Sequence, residues 1–323
     1  MKRGLITAGL IAFLLVDIVL VYLALRPPPV TPPTEAAPTG SATGGAAPTT
    51  ARTTAPPSTS APPTKPATTT SAATAAGQRP SPVGILLVGL DSEVAWRATT
   101  GTCTEGGAEL SVTRDGGASW DEVEVPARTI SRVQPLTGGT GFIVGSDRGC
   151  GQSEFTTDDD GATWVGPRPL VGGWARKLAE PNEIVTPEDA NSRPCGDQDV
   201  LDLSRTSAEQ AEALCRDGSV KVTNDSGATW SESGEAEGAL AFSNRLEVGV
   251  LTTYAARAGV EGCDGVQIAK VIRGEEPAEV ACVETTEPTP GSVAISTSPE
   301  AGWLLVGDEA WVSGADLTAW EQA

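Results

Sequence analysis

The chain has 323 residues, a formal net charge of −20, six cysteines and no histidine. A balance this acidic argues against nucleic acid, whose binding rests on Lys and Arg at phosphates. The lack of histidine excludes Ser–His and Cys–His nucleophiles and leaves no zinc-like ligand spacing.

The chain opens with Lys2 and Arg3, followed at residues 4–25 by a stretch that is apolar apart from Thr7 and Asp17. That length crosses a hydrocarbon core of about 30 Å. Residues 1–26 are therefore expected to form an N-terminal transmembrane signal anchor, single-pass, with a cytoplasmic N-terminus and an extracytoplasmic remainder. The run is longer than the core of a cleaved signal peptide, and no Ala-x-Ala site follows it. Asp17 hints at association with another helix in the membrane. Residues 27–82 are nearly all Pro, Thr, Ala, Ser and Gly. Such a composition buries too little apolar surface to offset its ordering entropy and predicts a disordered linker. In polyproline II, at roughly 3.1 Å per residue, it reaches on the order of 170 Å.

Residues 83–323 hold all six cysteines. The charged residues up to position 82 (Lys2, Arg3, Asp17, Arg26, Glu35, Arg52, Lys65 and Arg79) sum to +4, which leaves −24 on this part. β-Rich stretches run through it at 85–88, 94–98, 109–113, 141–146, 154–157, 184–186, 200–203 and 219–223. One phrase recurs among them three times: Thr113-Arg-Asp115-Gly-Gly117-Ala-Ser119-Trp120, Thr157-Asp-Asp159-Asp-Gly161-Ala-Thr163-Trp164 and Thr223-Asn-Asp225-Ser-Gly227-Ala-Thr229-Trp230. The residue types suit a hairpin turn. Asp accepts from its own neighbours in an Asx-type turn, and Gly supplies positive φ. The flanking Thr and Ser offer hydroxyls to the loop, and Trp offers a large apolar body. Ser313 to Trp320 keeps the spacing, with Ala315 and Leu317 where the Asp and Gly stand.

The Trp-to-Trp separations are 44 and 66 residues. The larger is read as a blade with an insertion around 188–215, in which Ser207 followed by Glu209-Gln210 predicts a short helix over 207–214. A fourth unit is read from strands at 246–252, 265–272 and 278–283, and a fifth from 302–320. Residues 83–90 are expected to complete the last blade and close the ring.

The phrase closely resembles the Asp-box of the bacterial-neuraminidase-repeat β-propellers, whose members include sialidase-like, sortilin-like and photosystem-assembly-factor-like domains. The resemblance covers residues 83–323 and implies an all-β propeller of four-stranded blades, about five here, six or seven if short blades go unmarked. The repeats narrow fifteen conceivable cysteine pairings to Cys103–Cys150, Cys195–Cys215 and Cys263–Cys282.

Sialidase chemistry implies a Phe/Tyr-Arg-Ile-Pro phrase, three arginines and a Tyr–Glu nucleophile. The nearest phrase is Ser131-Arg-Val-Gln-Pro135, without the aromatic, and the one tyrosine of this part is Tyr254, with Arg257 three residues on. Asp158-Asp159-Asp160 is the sole local run that invites Ca²⁺. Trp96, Trp174, Trp303 and Trp311 read as core, Trp174 being the one to test for exposure. The sequence thus predicts no catalytic residue, metal or cofactor. It points to a membrane-anchored, non-catalytic module for an envelope protein, a peptide or a glycan. An extracytoplasmic glycoside hydrolase with a carboxylate pair is the alternative.

Overall fold

The computed structural model describes residues 80–286 and 288–323. The expected anchor and all but the last residues of the linker lie outside the described residues. No helix among the described residues is long and apolar enough to cross a membrane.

The fold is all-β, a ring of five four-stranded antiparallel blades, each built from four consecutive strands. Blade 1 comprises β1 (Ile85–Gly89), β2 (Ala95–Thr99), β3 (Glu109–Thr113) and β4 (Asp121–Val123). Blade 2 comprises β5 (Thr129–Pro135), β6 (Gly141–Ser146), β7 (Gln152–Thr157) and β8 (Val165–Pro169). A separate pair, β9 (Ala175–Arg176) and β10 (Ile184–Val185), follows. Blade 3 comprises β11 (Val200–Arg205), β12 (Ala211–Cys215), β13 (Ser219–Thr223) and β14 (Ser231–Glu235). Blade 4 comprises β15 (Ala239–Glu247), β16 (Val250–Ala258), β17 (Gly265–Val271) and β18 (Ala278–Glu284). Blade 5 comprises β19 (Val293–Thr297), β20 (Ala301–Val306), β21 (Glu309–Gly314) and β22 (Trp320–Gln322).

The first strands line the axis, with β9 wedged between β5 and β11. Burial falls from the axis outward: all five residues of β19 are buried, and all five of the outermost β8 are exposed. Pro167 and Pro169 sit in β8, where a missing N–H costs no ladder bond.

Four expectations about the chain's course are overturned. Residues 83–90 do not complete blade 5. Asp91 Oδ1 accepts from Glu93 N and Val94 N, each at 2.8 Å, and this tight turn pairs β1 with its own neighbour β2. Residues 207–214 are not helical: Ser207 Oγ accepts from Glu209 N and Gln210 N to make a turn, and the chain then enters β12. Residues 246–252 are not one strand, because Val248 and Gly249, at φ 50° and 80°, turn the chain from β15 into β16. The extra length ahead of the third phrase lies before β11, not around 188–215. Ile184 belongs to the wedge, while β11 and β12 are regular blade strands.

The ring therefore closes without strand exchange. Gly89 N donates to Ser296 Oγ (3.0 Å), Gly84 N to Gly291 O (2.8 Å) and Trp303 Nε1 to Asp91 O (2.7 Å), joining blade 5 to blade 1. Disulfides add three staples. Cys103–Cys150 links the β2–β3 and β6–β7 connections of adjacent blades, Cys195–Cys215 ties the segment before β11 to β12, and Cys263–Cys282 lies within blade 4.

Candidate functional site

The three repeated phrases occupy the β3–β4, β7–β8 and β13–β14 turns, and their carboxylates are spent internally. In the first, Thr113 Oγ1 donates to Asp115 Oδ1 (2.9 Å) and accepts from Gly117 N (2.9 Å), while Asp115 accepts from Ser119 N (2.9 Å) and Ser119 Oγ (2.6 Å). Thr157, Asp159, Gly161 and Thr163 repeat these bonds, as do Thr223, Asp225, Gly227 and Thr229. The Ser or Thr hydroxyl and amide hold each Asp below its usual pKa. The glycines sit at φ 88–92°, a left-handed conformation that suits a residue without Cβ.

Each phrase's Trp packs edge-on against another blade or the wedge. Trp120 meets Trp303 of blade 5, Trp164 meets Trp96 of blade 1, and Trp230 meets Trp174 of the wedge, with centroids 6.1–6.2 Å apart. Trp174 is thus 2 % exposed rather than a surface residue, its indole N–H donating to Ala208 O. Asp160 pairs with Arg114, and among the described residues no cluster of three metal-ligating side chains exists.

The turns after the first strands lie on the same face as the phrases: Gly116 N donates to Glu93 O, Asp160 N to Gly139 O and Ser226 N to Glu209 O. A cavity of about 420 Å³ runs along the axis and opens on this face, between Thr206, Leu246 and Pro299. The opposite end is closed. There the buried Arg176 donates to Leu201 O (3.0 Å) and Val83 O (2.8 Å), and Val83 N donates to Leu201 O (2.9 Å). Asp202 stands beside it on the channel wall, accepting from Leu203 N and Phe242 N. Its open surface faces the enclosed cavity rather than bulk water, so burial pushes its pKa up, as burial pulls that of Arg176 down.

The walls differ in chemistry. β1 and β19 present an apolar side that includes Leu87 and Ile295, whereas β5, β11 and β15 present Arg132, Gln134, Arg205, Asn244 and Arg245. Arg245 is saturated, by Glu247 and by the carbonyls of Ser298 and Ala315. Arg132 lies over the Phe142 ring, 4.7 Å from its centroid, and its pKa is lowered to about 9 by burial and then by the neighbouring Arg205 charge. Of these side chains, Arg132 and Gln134 stand in the phrase Ser131-Arg-Val-Gln-Pro135 noted in the sequence, and Arg205, Asn244 and Arg245 stand in none. Ser131-Arg132, Ser204-Arg205 and Ser243-Asn-Arg245 recur on three inner strands, a signal visible in the sequence.

Tyr254 lies outside the cavity lining. It is buried on β16, where its hydroxyl donates to Glu247 Oε1 at 2.7 Å. Burial works to raise the Glu247 pKa, but hydrogen bonds from Tyr254, Arg245 and Thr252 outweigh it and bring it to about 2. Arg257 turns elsewhere, to Glu237 O and Gln267.

No family model and no curated protein matches the chain. Among solved structures it is similar to YCF48 bound to D1 peptide (21 % identity, 76 % of this chain and 68 % of that chain, TM-score 0.29). It is also similar to the SapL1 lectin in complex with alpha methyl fucoside (13 %, 76 % and 96 %, TM-score 0.44). A third is the GH74 xyloglucanase from Xanthomonas campestris (14 %, 74 % of this chain, TM-score 0.28), of which the chain spans only 38 %. Likeness at this level carries no argument about activity; the five-bladed ring rests on the strand pairings themselves.

Proposed function

We propose that the chain is a membrane-anchored, extracytoplasmic propeller of the Asp-box type, with residues 1–26 as anchor and 27–82 as linker. In this reading it acts as a non-catalytic module that binds an envelope protein, a peptide or a glycan at the open end of its axial cavity. One observation carries the non-catalytic part. Among the described residues, Asp202 is the single carboxylate lining the cavity, and its oxygens already accept two backbone N–H groups. Glycoside hydrolysis needs two carboxylates facing each other across the scissile bond. The repeated Asp residues offer none, being committed to their turns.

The test uses the full-length protein and a Leu246→Trp variant that narrows the cavity mouth. Cross-linking in the native envelope should trap a partner that the variant fails to trap, and a panel of glycosides should release no sugar. Partner capture that survives Leu246→Trp overturns the assignment of the site; sugar release overturns the non-catalytic reading. Protease shaving of intact cells that leaves residues 83–323 untouched overturns the proposed location.

A further inference from the structure

Among the described residues, no carboxylate forms an ion pair with two guanidiniums that line the cavity, those of Arg132 and Arg205. Arg205 Nη2 and Arg132 Nη2 both donate to one neutral acceptor, Gln134 Oε1, at 2.9 and 3.4 Å. Arg132 Nη1 reaches only Trp174 O, at 3.4 Å. Arg205 Nε is buried with no acceptor among the described residues. The contrast with Arg245 is direct: the same side chain one blade on is filled by Glu247 and two carbonyls. Two like charges drawn to one amide oxygen, with a donor left over, make a site completed by an oxyanion, which accepts from guanidinium forks in pairs. In a chain of net charge −20, Glu154 acts on Arg132 only at longer range, and no carboxylate among the described residues bonds to either guanidinium.

The rest of the cavity restricts what carries the anion. Its volume of about 420 Å³ falls in the small-ligand range, roughly 300–1,000 Å³. The far end is shut by Val83 and Arg176, so a ligand enters and leaves by one mouth. The wall across from the arginines, with Leu87 and Ile295, is apolar. Both aromatics of the lining, Trp174 and Phe242, are 2 % exposed and give a sugar ring no face to stack on. The acidic surface works against polyanions.

We propose that the axial cavity binds a small monocarboxylate with an apolar body, its carboxylate held by Arg132 and Arg205 and its body laid along β1 and β19. This rests on the cavity being the ligand site. The binding is an ion pair with paired N–H···O bonds, and no bond is made or broken. Gln134 is a positioning residue that keeps the two forks aimed at one point while the site is empty.

Titration calorimetry on the full-length protein in detergent at low ionic strength tests it, with 4-methylpentanoate as probe and its primary amide as the uncharged isostere. The acid should bind at least about tenfold more tightly than the amide, the step a charge-assisted hydrogen bond gives. Arg205→Gln should abolish that preference. Gln134→Glu places a carboxylate inside the site; it should raise the unfolding temperature and also abolish the preference, which guards against reading a misfolded Arg205 variant as support. Equal affinity for acid and amide overturns the proposal, as does a preference that persists in Gln134→Glu, or no binding of either probe. If acid and amide bind equally and both are lost in Leu246→Trp, the cavity stands as the ligand site and only its anion selectivity falls.

Discussion

One hydroxyl separates the intact turns from the worn one. Thr223 Oγ1 donates to Asp225 and accepts from the buried Gly227 N, whereas Ser313 Oγ, its counterpart in blade 5, is buried without a partner among the described residues, Ala315 standing where the Asp would be. Deleting the first should therefore strand a donor, and deleting the second should strand nothing. Thr223→Val is expected to cost about 1–3 kcal/mol and Ser313→Ala close to nothing, read by urea denaturation. Asp225→Ala should lower the unfolding midpoint by roughly 2–4 °C. Glu247 governs the acid side. Its folded pKa of about 2 lies below its ordinary value near 4.5, so the stability it contributes is fully present above that value. That contribution is lost as pH falls from about 4.5 towards 2, and a Glu247→Gln variant should show a flatter fall in unfolding temperature across this window.

At the scale of elements, the phrases were legible because a turn is local chemistry: the Thr, Asp and Ser or Thr that tie it together lie within eight adjacent residues. The strands around them were legible where they alternate. What escaped was set by partners far away in sequence. β9 and β10 have two residues each, too few to show any period. β12 is buried along its whole length and reads equally well as a helix segment. The β15–β16 hairpin turns at Val248, a β-branched residue at positive φ that no turn rule marks. The disulfides act at this scale too. Loop-closure entropy ranks Cys103–Cys150, 47 residues apart in sequence, at about 4 kcal/mol, and Cys195–Cys215 and Cys263–Cys282, 20 and 19 apart, at about 3 kcal/mol each. Replacing each pair by serine should reproduce that order in denaturant midpoints.

For the whole molecule, Arg176 is the piece that shuts one end of the axis. Its donors satisfy two backbone carbonyls from distant parts of the chain, and its charge faces Asp202. Arg176→Met would remove both hydrogen bonds and should cost about 1–3 kcal/mol, measured as a drop in denaturant midpoint. The closure could not be read from the chain, and the recurring Ser and Arg of the inner strands do not say which way the side chains face. An arginine that faces an axial cavity and one that faces water look the same in a sequence, and the phrase that holds Arg132, Ser131-Arg-Val-Gln-Pro135, lacks the aromatic of the sialidase phrase it was compared with.

Rotational repetition gives every sector of a ring the same inner surface, and a surface repeated five times has no address. The wedge between β5 and β11 breaks that equivalence. Its inner strand has only two residues, and on either side of it Arg132 of β5 and Arg205 of β11 reach the same amide oxygen, that of Gln134. The stunted unit adds to the difference between the apolar and polar walls, and selectivity has room to arise where the symmetry fails.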